Sequence, residues 1–94
     1  MALTTQGVLD LVRDALAIMP PPPYSEDIIL EVSRKIRDTP ELLQRYAQLK
    51  RELKKDVANN WIGMHTKNIV GMNTIRQVPA TNEDIIGSYT KLSA

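Results

Sequence analysis

The chain contains no cysteine and no phenylalanine, and only four of its 94 residues are aromatic. Without cysteine there is no disulfide framework and no thiolate chemistry, so we expect a cytoplasmic protein. Because aromatic side chains are scarce, a core must be built from Leu, Ile, Val, Met and Ala, which favours helices over sheets. No apolar stretch approaches the length that crosses a bilayer, and we expect no membrane association.

Patterns typical of catalysis and metal binding are also missing from the sequence. A zinc site would have to combine the single histidine, His65, with carboxylates alone. No carboxylate cluster, phosphate-binding glycine loop or nucleophile beside a general base is apparent in the sequence. We therefore expect a protein that is not an enzyme and that uses no metal or cofactor.

The distribution of apolar residues predicts one all-α domain over residues 1–94, a small bundle of four to five helices. The first helix should end by Met19, because a stiff proline-rich connector follows over residues 20–24. A second helix is predicted from residue 26 to about residue 37, and a short C-terminal helix over about residues 82–92.

The longest predicted element is a central helix from residue 40 to about residue 62, and as far as residue 71 if Gly63 does not stop it. Thr39 suits the N-cap, and Pro40 suits the first helical position because an N–H there would have no intrahelical partner. Apolar residues then recur about every 3.7 residues and give the helix one apolar face. They are Leu42, Tyr46, Leu49, Leu53, Val57, Trp61 and Met64.

Charge is distributed unevenly along a chain whose formal net charge is only +1. Residues 1–33 carry five acids and one base, whereas residues 34–76 carry ten bases and four acids. This basic middle could attract an anionic partner, or it could be neutralised by the acidic start when the helices pack. Nucleic-acid binding is the leading hypothesis that follows from it.

Residues 62–69 read Ile-Gly-Met-His-Thr-Lys-Asn-Ile and resemble the turn of a helix-turn-helix motif. The resemblance covers about residues 54–76 and departs from the motif at Asn59, where a small residue is expected. If Gly63 ends one helix and Thr66 begins the next, the resemblance implies a recognition helix and a small DNA-binding regulator, with a homodimer as one arrangement. The basic face and this motif together give the expected contact residues Lys50, Arg51, Lys54, Lys55, Thr66, Lys67, Asn68 and Arg76.

The alternative function is a protein-interaction module, such as an adaptor or inhibitor, that binds through an apolar helix face or through the proline-rich connector. The connector matches the PPxY pattern and resembles ligands of WW domains, which accept an extended proline-rich segment in an aromatic groove. The residues of this match are Pro21, Pro22, Pro23 and Tyr24. Tyr24 has a second interpretation, because it precedes the expected cap Ser25 and could pack on Ile29 to anchor the second helix.

Overall fold

The computed structural model describes residues 5–94, which form four helices followed by a two-stranded antiparallel sheet. The elements are α1 (Gln6–Ala17), α2 (Ile28–Asp38), α3 (Pro40–Leu53), α4 (Lys55–Val70), β1 (Asn73–Pro79) and β2 (Ser88–Ser93). The expected all-α bundle is therefore wrong, because the chain after residue 72 forms a β-hairpin and the fold is mixed α/β.

The predicted central helix is divided into α3 and α4 at Lys54, and not near Gly63. Lys54 has φ 73° and ψ 152°, a backbone conformation that residues with a side chain rarely adopt. Gly63 lies in the middle of α4, so residues 63–65 are helical and Thr66 does not begin a helix. The end of α4 is instead at Gly71, whose left-handed conformation is typical of a helix C-terminus.

The break at Lys54 changes which face of the central stretch is buried. The buried residues of α3 and α4 are Leu42, Tyr46, Leu53, Ala58, Ile62 and Thr66. Val57 and Met64, which the predicted stripe would bury, are 40% and 51% exposed. Because residues four apart share a helix face, α4 buries the stripe at positions 58, 62 and 66, whereas Val57, Met64 and Ile69 face outward.

The hairpin replaces the short helix expected over about residues 82–92. The strands pair antiparallel, and a register shift between Thr74 and Arg76 marks a β-bulge in β1. β1 packs almost entirely on β2 and is exposed along most of its length. β2 is joined to the start of α2, where the Leu92 N–H donates to the Glu26 carbonyl at 3.0 Å.

The connection between the strands contains the start of a helix that does not continue. The Thr81 N–H and hydroxyl donate to the Asp84 carboxylate at 2.9 and 2.8 Å, as in the first turn of a helix. The chain leaves this turn at once, because the Ala80 N–H donates to the Gly87 carbonyl at 3.0 Å and the following residues enter β2. Asp84 therefore stabilises a single turn where a helix over about residues 82–92 was expected.

The hydrophobic core lies between the helices and one end of the hairpin. Its largest fully buried apolar side chains are Leu11, Ile28, Ile36, Ile62 and Leu92. Ile86 and Tyr89 belong to the same core. Since three core residues come from the last nine residues of the chain, the hairpin is part of the core and not an appendage.

Candidate nucleic-acid interface and adjoining cleft

The residues predicted to contact nucleic acid lie on α3, α4 and β1. Those on the surface are Lys50, Arg51, Lys54, Lys55, Lys67, Asn68 and Arg76. Four bases surround the break between the helices, and we call Lys50, Arg51, Lys54 and Lys55 the basic junction. Thr66 is fully buried, and its hydroxyl donates to the Ile62 carbonyl at 2.7 Å, one turn earlier in α4. Its side chain therefore cannot contact a nucleic acid.

None of the ion pairs within residues 5–94 involves the basic junction. They join Asp14, Glu26, Asp27, Asp38 and Asp84 to Arg34, Arg37, Arg45 and Lys91. No acid in residues 5–94 pairs with the basic junction, with Lys67 or with Arg76. Lys50 lies 5.6 Å from the centre of the Tyr46 ring, a cation–π distance. The acidic start of the chain therefore does not neutralise these bases by direct pairing.

A cleft with a volume of about 680 Å³ lies between α4 and the hairpin, and we call it the helix–hairpin cleft. The wall on α4 runs from Asp56 to Lys67, about three turns of the helix. The hairpin wall contains Thr74, Gln77, Ser88 and Thr90, and the lining is completed by Ile29, Asn59, Gly63, Ile86, Gly87 and Tyr89. The cleft thus combines apolar and polar groups, as small-ligand sites do.

Several polar side chains of the helix–hairpin cleft have no hydrogen-bond partner among the described residues. They are Asp56, Asn60, Lys67, Thr74 and Thr90. Gln77 differs, because its amide donates to the Ser88 hydroxyl at 2.7 Å. The walls therefore offer donors and acceptors that are not used in holding the fold together.

Asn59 joins the base of this cleft to α3 and to the connection between the strands. The Tyr46 hydroxyl donates to Asn59 Oδ1 at 2.6 Å, and Asn59 Nδ2 donates to the Ile85 carbonyl at 3.0 Å. Burial raises the pKa of the Tyr46 hydroxyl, which keeps it protonated as a donor. In the sequence, Asn59 was only a departure from the helix-turn-helix pattern; in the fold, its amide bridges three elements.

A second polar cluster holds the connection between the strands against α2. The Asp84 side chain is fully buried and accepts hydrogen bonds from Arg34 Nε at 2.9 Å and Arg37 Nη1 at 3.4 Å. The Arg34 guanidinium holds the pKa of the Asp84 carboxyl well below its usual range. These two arginines of the basic middle therefore have a structural role.

The PPxY segment lies between α1 and α2. Its prolines are exposed, whereas Tyr24 is half-buried and packs against the core. A WW domain would have to withdraw the Tyr24 ring from this packing before it could bind. The contact favours the interpretation of Tyr24 as an anchor for the polypeptide at the start of α2.

No helix within residues 5–94 is both long and apolar enough to span a membrane. In the same range, no three acidic or histidine side chains are grouped so that they could hold a metal ion. Comparison with known protein families, with curated proteins and with solved structures gave no match. A proposal of function must therefore rest on the surface chemistry of this chain.

Proposed function

We propose that this protein binds nucleic acid, with duplex DNA as the preferred partner, and that the basic junction supplies its main phosphate contacts. The observation that supports this proposal is the presence of four exposed bases within six residues, none of them paired with a described acid. Lys67 on α4 and Arg76 on β1 are further exposed bases that pair with no acid of the described residues. Such contacts give affinity and orientation without reading the base sequence.

Beside the basic junction, the first turn of α4 brings both helix N–H groups and one acid, Asp56, so its net attraction for phosphate is smaller than that of the four bases. The N-terminus of a helix carries partial positive charge and backbone N–H groups that bind anions. No side-chain cap occupies this end of α4 in the described chain. Because α4 is continuous through Gly63, the proposal does not depend on a turn there. Binding through phosphate contacts implies only a weak preference for particular DNA sequences.

The proposal is tested by fluorescence anisotropy of a labelled DNA duplex over a series of salt concentrations. Six neutralised phosphates would give a slope of about −5 for the logarithm of the binding constant against the logarithm of salt concentration. The double variant K54Q/K55Q should make this slope less steep by about two.

The matched control is R13Q/K35Q, which removes the same charge from bases that lie outside the basic junction and have no described ion-pair partner. It should leave the slope within error of the parent protein. Absence of binding at low salt, or equal effects of the two double variants, would contradict the proposal.

A further inference from the structure

We propose that the helix–hairpin cleft binds an extended polypeptide segment that carries a basic and an acidic side chain four residues apart. This second site differs from the basic junction in position and chemistry, and it does not require nucleic-acid binding. Three properties of the cleft identify the occupant: its length, its free hydrogen-bonding groups and the placement of its two charges.

The dimensions of the cleft fit one extended chain. Asp56 and Lys67 are eleven residues apart on α4, which corresponds to about 16 Å along the helix axis. About five extended residues cover this length. A helix pairs its own backbone N–H and carbonyl groups, so the free polar groups of the cleft favour an extended segment, whose backbone groups need partners.

The polar groups of the cleft match what an extended backbone presents. Each residue of such a segment offers an N–H and a carbonyl that need partners. The Asn60 amide and the Thr74 and Thr90 hydroxyls can each donate and accept, and none has a described partner. Between them, Ile29 and Met64 offer apolar surface to the segment's side chains, and the flexible thioether of Met64 adapts to different shapes.

The two charged residues of the cleft determine which segment is favoured. Asp56 and Lys67 are the only charged residues in its described lining, they lie near opposite ends, and both are exposed. In an extended segment, residues four apart are separated by about 13 Å, and long Lys and Glu side chains can bridge the remaining distance of about 3 Å between these charges. Because side chains alternate between the two faces of an extended chain, residues four apart also point to the same wall. A basic side chain near Asp56 and an acidic one near Lys67 would then complement the cleft. A nucleic acid would not, because Asp56 repels phosphate.

The probe is the synthetic peptide acetyl-Lys-Thr-Val-Thr-Glu-amide, titrated into the ¹⁵N-labelled full chain and observed by NMR. We expect saturable shifts of the Asn60 and Gln77 side-chain amides, both of which line the cleft. Control peptides with Lys at both ends or Glu at both ends should bind about three- to fivefold more weakly, the effect of one exposed charge pair.

Charge variants of the protein test the orientation of the contacts. D56K should reverse the preference in favour of the peptide with Glu at both ends. The double variant D56K/K67E should regain the preference for the mixed peptide, bound in the opposite direction. Lys35→Glu, outside the cleft, is the control and should leave all three affinities unchanged.

The two proposals can fail separately. K54Q/K55Q should leave peptide binding intact even where it weakens DNA binding. Absence of saturable shifts, shifts confined to residues outside the cleft, or peptide preferences that do not follow the charges at positions 56 and 67 would overturn the peptide proposal and leave the DNA proposal standing.

Discussion

At the scale of single residues, Asp84 joins the connection between the strands to α2. Its carboxylate accepts hydrogen bonds from the Thr81 backbone and from the guanidinium groups of Arg34 and Arg37. Because its side chain is fully buried, these donors replace the water that the charge would otherwise bind. Asp84 is therefore the residue at which removal of one charge should most directly loosen the hairpin from the helices.

Asp84→Asn is expected to lower the free energy of unfolding by roughly 1.5–3 kcal/mol, the range for hydrogen bonds to charged groups. Urea denaturation measures the change. The control is Glu83→Gln, at a neighbouring exposed residue whose carboxylate forms no hydrogen bond or ion pair with the described residues, and it should stay within about 0.5 kcal/mol of the parent. Equal losses in the two variants would contradict the assigned role of Asp84.

The contribution of Asp84 should also depend on pH. Its pKa is lowered in the folded protein, whereas an aspartate in the unfolded chain has a pKa of about 3.9. The contribution is therefore complete above that value and is lost as the pH falls through the folded pKa. The difference in unfolding free energy between the parent and Asp84→Asn should be constant above about pH 5 and decrease below about pH 4. A difference that grows on acidification would contradict this sign.

His65 joins the start of α1 to α4. Its ring stacks on Trp61 with 5.1 Å between the ring centroids, and its buried Nε2 has no hydrogen-bond partner in the described part of the chain. Burial lowers the pKa of His65, against the opposing effect of a hydrogen bond with the Thr5 backbone. The neutral ring is thus the form that fits the folded protein.

Stability should fall as the pH decreases through about 6.5, because the unfolded histidine takes up a proton more readily than the folded one. The slope for one group is at most about 1.4 kcal/mol per pH unit. Urea denaturation at several pH values above and below about 6.5 measures the slope of stability against pH. His65→Gln should remove this slope at about pH 6.5. A parent protein that becomes more stable on acidification there would contradict the expectation.

At the scale of elements, alanine at Gly63, inside α4, and alanine at Gly71, which follows its last residue, should change the stability of the protein in opposite directions. At Gly63 a Cβ would lie 3.9 Å from Ile29 Cγ2, an ordinary contact, so Gly63→Ala should stabilise the protein by about 0.5–1 kcal/mol through helix propensity. At Gly71, where φ is 68°, alanine should destabilise it by roughly 1 kcal/mol. Thermal unfolding of the two variants and the parent protein measures the changes in stability. Changes of the same sign would contradict the boundaries of α4.

Helix boundaries with local chemical signals could be predicted from the sequence. α3 begins at Pro40, where Thr39 and Pro40 predicted a start. The sequence around residues 73–78 has β-prone residues, but its partner strand begins at Ser88, after a Thr81–Asp84 turn that has the chemistry of a helix start. The connection between the strands, residues 80–87, carries a helix-start pattern and no short hairpin-turn pattern, so the hairpin was missed.

The basic junction and the helix–hairpin cleft also differ in how far the sequence predicts them. The exposed bases of α3 were predictable, because charge on the polar face of an amphipathic helix follows from spacing alone. The break at Lys54 was not, since lysine gives no signal for a positive φ. The helix–hairpin cleft was not predictable either, because it exists only where α4 faces Thr74 and Thr90 across the fold.

At the scale of the whole molecule, the helices should not fold without the hairpin. Ile86, Tyr89 and Leu92 are core residues, and burial of three such side chains contributes roughly 5–9 kcal/mol. That is comparable to the total stability of about 5–15 kcal/mol that is usual for a small domain. A chain ending at Met72 should therefore lose cooperative unfolding, as followed by circular dichroism during urea titration. A sharp transition in the truncated chain would show that the helices form an independent core.

The placement of β1 at the outside of the fold also has a dynamic consequence. This strand is exposed along most of its length and packs almost entirely on β2, so its amide protons should exchange with deuterium through local opening, well before those of α2. Detachment of β1 would release Thr74 and Gln77 while Tyr89 and Leu92 stay in place. A ligand could then enter the cleft between α4 and the detached β1, and it would be enclosed when β1 pairs with β2 again.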